Sequence, residues 1–188
     1  MSIRALVIGQ KWLGGEVVKR LAAKHIEVLA TAPKTDSSVV SAAGVAGTLF
    51  THHDDQCRLL NDPGGSFDIL IAAHAHVKIP FDLRKRARWS IGYHPSLLPL
   101  FRGKDAVQQA VNSGQRVTGG TVYHLTEEMD RGPVAGQEWC FVGAGQTAAE
   151  LWRSELAAMG VRLIVRAVDE YMTFGSITAR RQRSLKAR

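Results

Sequence analysis

The sequence predicts an α/β protein built as one domain, with an open, mostly parallel sheet flanked by helices. Three observations carry this. Short apolar runs that end in small residues, such as residues 3–8 (IRALVI) before Gly9, suit strands buried on both faces. Strand-like and helix-like stretches alternate through the first half, the pattern of right-handed βαβ units. The length of 188 residues is that of one ordinary domain with a sizeable core, and no internal repeat divides it.

The elements follow in order. Residues 3–8 form the first strand; Gly9 and residues 10–15 turn the chain, and an amphipathic helix runs over residues 16–24. A second strand is expected at residues 25–30, a loop at 31–36, a short helix at 39–46 and a strand edge at 47–50. Asn61-Asp62-Pro63-Gly64-Gly65 is a strong turn signal. Residues 68–73 (DILIAA) and 89–93 supply two more apolar strands. Residues 117–125 and 138–142 pair antiparallel through a turn region at 130–136. A long final helix covers 147–171, with Leu151, Leu156, Met159, Leu163 and Val168 near helical spacing. Thr147 is its expected N-cap, with Glu150 as capping-box partner.

Composition narrows the function classes. Hydrophobic residues make up 45% and charged residues 22%, which excludes disordered and fibrous chains. No apolar run reaches the roughly 20 residues that cross a bilayer, so no membrane role is expected. The start lacks a secretory pattern. Cys57 and Cys140 form neither a disulfide framework nor a metal spacing, which suits a cytoplasmic setting. Net charge is +7, concentrated in Lys78, Arg84, Lys85, Arg86 and Arg88 and in the tail Arg180, Arg181, Arg183, Lys186 and Arg188. Such clusters suit an anionic partner (phosphate, polyglutamate or nucleic acid) and equally a solubilising surface. The expected division is a domain at residues 1–178 and a basic tail at 179–188.

The chemistry concentrates at Tyr93-His94-Pro95-Ser96-Leu97-Leu98-Pro99, continuing to Phe101-Arg102-Gly103. Two prolines four apart exclude a helix or an inner strand, so a rigid loop leaves the strand here. Pro95 holds His94 extended, and a histidine at a strand's carboxyl end is well placed for acid–base work. His52-His53 and His74-x-His76 lack a third ligand at convincing spacing, so no metal is expected.

This loop resembles that of the 10-formyltetrahydrofolate-dependent formyltransferases, which carry HPSLLP followed by an aromatic residue, arginine and glycine. Gly120-Thr121-Val122-Tyr123-His124 and Met129-Asp130-Arg131-Gly132-Pro133-Val134 are similar to the family's second motif, and Asp130 follows His94 by 36 residues. Gly145-Gln146-Thr147 resembles its entry to the last helix. The resemblance implies a Rossmann-like formyltransferase fold over residues 1–178 and transfer of a formyl group from 10-formyltetrahydrofolate to an amine. The amine attacks the formyl carbon, His94 stabilises the oxyanion, and Asp130 holds the imidazole charged and helps move the proton. It also implies a folate site formed by His76, Val77, Lys78 and Ile79 with His124, Leu125 and Asp130. Acceptor contacts fall to Gly9, Lys11, Trp12 and Arg102, with Trp12 offering a ring-stacking surface.

Gly92 departs from the pattern. The family usually carries Asn two residues before the histidine, and that carboxamide helps bind the formyl oxygen; Gly92 therefore joins the catalytic positions as a missing donor. The hydrolase-type domain of 10-formyltetrahydrofolate dehydrogenase also reads Tyr-His-Pro-Ser-Leu-Leu-Pro without the Asn. The segment Gly9-Gln10-Lys11-Trp12-Leu13-Gly14-Gly15 lacks the phosphate loop of glycinamide ribonucleotide transformylases and reads as a tight turn. Members acting on tRNA continue into a C-terminal β-barrel, and this sequence ends near where that begins. The leading expectation is an N-formyltransferase of a small-molecule amine, such as a sugar nucleotide. The alternatives are a 10-formyltetrahydrofolate hydrolase and a non-catalytic folate- or nucleic-acid-binding homologue. Nucleic-acid contact through the tail is compatible but not favoured, and a homodimer is left open.

Overall fold

In a computed structural model, residues 2–33, 35–46, 49–52, 66–76 and 78–183 are described. The turn expected at 61–65, Cys57, Val77, Lys186 and Arg188 lie outside them. The fold class is the predicted one, α/β with mostly parallel strands and flanking helices. The chain forms two compact units, residues 1–92 and 93–188.

In the first unit the elements run β1 (Arg4–Gly9), α1 (Lys11–Ala22), β2 (Glu27–Ala32), α2 (Ser37–Ala46), β3 (Leu49–His52), β4 (Phe67–Ala73), α3 (Phe81–Arg84) and β5 (Ala87–His94), whose last two residues open the second unit. The strands are parallel in the order β3-β2-β1-β4-β5. The register sets Leu6 beside Leu29 and Leu70, and Ile71 beside Ile91. Leu6, Ile69, Leu70, Ile71 and Ile91 are fully buried, which is why these strands read as unbroken apolar runs.

Two sequence expectations are corrected here. The first helix starts at Lys11 and ends at Ala22, so Gly14 and Gly15 lie inside it rather than in a turn ahead of it. A Cβ on Gly14 would stand 3.0 Å from both the Gly9 carbonyl carbon and Val39 Cγ2, and one on Gly15 2.9 Å from the Ser38 carbonyl oxygen. The glycines let α1 close on β1 and α2, which outweighs their poor helix propensity. The short α3 was not foreseen.

The second unit contains the strand-exit loop, α4 (Ala106–Asn112), the strands β6 (Val117–His124) and β7 (Val134–Phe141), α5 (Ala148–Leu151), a π-helical turn (Trp152–Leu156) and α6 (Ala157–Phe174). β6 and β7 pair antiparallel as expected, Val117 opposite Phe141, with a register shift at Val122/Tyr123. β7 begins at Val134, four residues earlier than the sequence suggested. The last helix has the expected capping box: the Thr147 hydroxyl accepts from the Glu150 N–H, and the Glu150 carboxylate accepts from the Thr147 N–H. It is not one regular helix, because the π-turn interrupts it. There the buried Tyr93 hydroxyl donates to the Leu156 carbonyl at 2.7 Å. Met159, Leu163, Ile164 and Val168 then form the buried stripe of α6, which ends at Gly175 in the left-handed conformation (φ 69°). Among the described residues, no helix is long and apolar enough to cross a membrane.

Candidate active site

His94 closes β5, and Pro95 turns the chain out of the strand at that residue. The loop beyond is held by side chains. The Thr121 hydroxyl donates to the Ser96 carbonyl (2.6 Å) and accepts from the Leu98 N–H (3.1 Å) and the Gln137 amide (2.9 Å). Gln137 also donates to the Leu98 carbonyl at 2.9 Å. Phe101 takes a left-handed φ of 49°, rare for a bulky residue, and its carbonyl lies 2.7 Å from His94 Nε2. A carbonyl has no proton to give, so Nε2 carries one.

On its other side, His94 Nδ1 lies 3.4 Å from Asp130 Oδ2, with both side chains buried. Asp130 sits at φ 56°, a conformation that Asp tolerates better than most residues. Its carboxylate is fixed from two further directions: Tyr123 donates to Oδ1 at 2.6 Å and the Gly103 N–H to Oδ2 at 2.7 Å. Burial, and then the Asp130 charge, push the Tyr123 phenol above its ordinary range, so it remains a donor. Both histidine nitrogens therefore face acceptors, and a second proton on Nδ1 would meet an oriented carboxylate.

Gly132 explains part of the second motif. A Cβ there would fall 1.7 Å from the His124 carbonyl oxygen, so only glycine lets the chain pass. The Pro133 carbonyl then accepts from the His124 N–H at 2.8 Å. Gln182, from the C-terminal segment, donates to the Asp130 and Gly132 carbonyls at 2.7 and 2.9 Å.

The second unit thus brings together His94, Asp130 and the Arg102-Gly103 turn, with His124 and Leu125 half-buried at the end of β6. Burial lowers the His124 pKa. In the first unit Gly92 is buried on β5 opposite Ala72, and Gly9 ends β1 opposite Ala73. Lys11 opens α1 at φ 55° and its N–H donates to Asp36; Trp12 beside it is half exposed. After β4, His76 and Lys78 are exposed whereas Ile79 is buried. His74 is pushed down to about 4 by burial first, then by His76 and Lys11, against a weaker opposite pull from Asp36. Sequence reasoning places Thr121 and Tyr123 within the second motif but gives them no role, and it misses Gln137 and Gln182. The first two alternate on β6, but a period of two marks a shared face and not which polar group faces the loop. Among the described residues, no group of three or more His, Cys, Asp or Glu is placed to hold a metal ion.

Fold and site together define an α/β protein with a buried histidine–aspartate pair where a strand of its sheet runs out. A family model described as formyl transferase matches residues 67–168, more than half of the chain, and the protein belongs to that family. A methionyl-tRNA formyltransferase of Clavibacter michiganensis subsp. michiganensis is 39% identical over 119 residues, 63% of this chain and 38% of the relative. One from Bifidobacterium animalis subsp. lactis is 45% identical over 80 residues, 41% of this chain and 25% of the relative. The matches thus span less than two-fifths of those relatives' length. Among solved structures, glycinamide ribonucleotide transformylase 1 from Symbiobacterium toebii superposes with a TM-score of 0.81 at 23% identity, covering 98% of this chain and 95% of that one. HypX from Aquifex aeolicus in complex with tetrahydrofolic acid gives 0.73 at 20% identity, covering 98% of this chain and 29% of its own.

Proposed function

We propose that this protein transfers a formyl group from 10-formyltetrahydrofolate to the amine of a small-molecule acceptor, such as a sugar nucleotide. In this reading residues 1–178 form the catalytic domain and 179–188 a basic tail. The observation that carries it is the buried pair of His94 and Asp130, 3.4 Å apart inside the two family motifs. The folate supplies an activated formyl carbon. His94, doubly protonated, places a hydrogen-bond donor where negative charge develops; its Nε2–H is held by the Phe101 carbonyl at rest and exchanges that partner for the oxyanion. Asp130 orients the ring and compensates its charge, as the Tyr123 and Gly103 bonds keep the carboxylate facing it. His76, Val77, Lys78, Ile79, His124, Leu125 and Asp130 are assigned to folate on the family pattern, and Gly9, Lys11, Trp12 and Arg102 to the acceptor. Ile79 contributes through its backbone, since its side chain is in the core.

The test is turnover of 10-formyltetrahydrofolate with a panel of amines, read by tetrahydrofolate release and by the mass of the formylated product. Asp130→Asn and His94→Ala are each expected to lower turnover by at least about a hundredfold while folate binding persists. Unchanged turnover in either variant, or no formylated amine from the whole panel, overturns the reading. Gly92 favours a second reading, hydrolysis of 10-formyltetrahydrofolate, because a residue without a side chain stands where a carboxamide donor is usual. Formate release with no amine present supports hydrolysis; strict dependence on an acceptor excludes it.

A further inference from the structure

The second unit holds a cleft of about 560 Å³ that the reading above does not use as a whole. It is lined by Pro99, Arg102, Glu128, Arg131, Pro133, Arg181, Gln182 and Arg183. Four of these side chains are guanidinium groups and one is a carboxylate. Glu128 is paired with Arg131 at 2.9 Å, so the lining keeps a clear positive excess. Its volume falls in the range of small-ligand sites, about 300–1,000 Å³.

The cleft is also built rather than a chance meeting of surface arginines. Arg180 pairs with Val134 through two backbone bonds, of 2.7 and 2.9 Å, which fixes the C-terminal segment against the start of β7. Gln182 then accepts from Arg102 Nη2 at 2.6 Å while donating to the Asp130 and Gly132 carbonyls. That network holds the Arg102 head in place, yet its Nε is buried with no hydrogen-bond partner among the described residues. A buried guanidinium donor left over beside further arginines calls for an anionic acceptor.

We propose that this cleft binds the phosphate group of a phosphorylated ligand, with Arg102 as the fixed anchor and Arg131, Arg181 and Arg183 closing on its oxygens. Phosphate fits better than a lone carboxylate, because one carboxylate would leave most of the lining charge unmatched. The ligand would also touch the Asp130 loop through Gln182, which ties binding to the catalytic pair. The site does not depend on formyl transfer and is read without it.

The experiment is calorimetric titration of the full chain at low salt with two probes, inorganic pyrophosphate and the oligonucleotide dT10. Arg131→Gln combined with Arg183→Gln changes two exposed side chains, so folding is spared. Arg153→Gln removes an equally exposed charge on the π-turn, away from the cleft lining. The double substitution is expected to weaken binding by about tenfold or more, and Arg153→Gln by less than about twofold. Binding is read with no folate and no amine present, which keeps failure here separate from failure of the catalytic reading. Loss confined to pyrophosphate identifies a small phosphorylated molecule; loss of dT10 binding identifies a polynucleotide backbone. Binding of neither probe, or equal weakening by Arg153→Gln, overturns the proposal.

Discussion

Thr121 is where one hydroxyl decides most. It joins the Ser96 carbonyl, the Leu98 N–H and the Gln137 amide, and it is fully buried. Thr121→Val keeps the shape and leaves the Ser96 carbonyl and the Leu98 N–H without that partner. The expected cost is about 1–3 kcal/mol, read from the urea midpoint. Turnover should fall with it, because the same loop presents the Phe101 carbonyl to His94. A variant as stable and active as the parent would show that the loop is held by its prolines alone. His74 makes a prediction about acid. Folded, it releases its proton at about 4 instead of 6.5, so between those values the unfolded chain binds more protons. Its contribution is whole above pH 6.5 and drains away as the pH falls toward 4. His74→Asn suits the left-handed backbone there (φ 61°) and should flatten the fall in stability between pH 7 and 5. An unchanged acid slope would place the acid sensitivity elsewhere. At this scale the sequence was half legible. His94, Asp130 and Arg102 stand out because motifs name them. Tyr123 lies within the second motif, but its role shows only in its bond to Asp130, and Gln182 becomes visible only when the C-terminal segment arrives, 52 residues from Asp130.

Among the elements, the strands were the most readable, because burial on both faces leaves apolar runs such as residues 68–73 with little else to become. Boundaries failed where tertiary contact overrode propensity. Gly14 and Gly15 break a helix on paper but let α1 touch its neighbours in space. The π-turn Trp152–Leu156 has no periodic signature of its own; its Leu156 carbonyl is taken by Tyr93, a strand residue. β6 packs against that same tyrosine. A Cβ on Gly120 would stand 2.3 Å from the Tyr93 hydroxyl and 2.5 Å from its Cε2. Gly120→Ala is therefore expected to destabilise the protein by about 1–3 kcal/mol, as overpacking does. Tyr93→Phe alone should cost about 1 kcal/mol through loss of the buried hydroxyl bond to the Leu156 carbonyl. Since both changes disturb one contact, their effects should fall short of additivity in a double-mutant cycle by denaturation. Full additivity would mean that Tyr93 moves aside freely and that the contact does not constrain the end of β5.

For the molecule as a whole, length and composition bounded the fold class, and two ordered motifs bounded the family, but neither reaches the acceptor. The positions proposed to meet the acceptor, Gly9, Lys11, Trp12 and Arg102, are residue types that recur on any basic surface. Under the proposed function, the whole-chain question is whether an amine or water takes the formyl group, and Gly92, two residues before His94 on β5, is the position that tests it. Losing one oxyanion donor costs about a hundred- to thousandfold in rate where such a donor is used. Gly92→Asn returns a carboxamide at that position, and two outcomes separate. If the chain is a transferase working one donor short, amine-dependent turnover should rise, by up to about a hundredfold, with formate release unchanged. If glycine is there to seat a water, the same substitution should lower formate release and leave transfer absent. Measuring both products from one reaction, with and without amine, decides between them. A variant that folds and changes neither rate would remove Gly92 from the catalytic set and leave His94 and Asp130 to carry the chemistry.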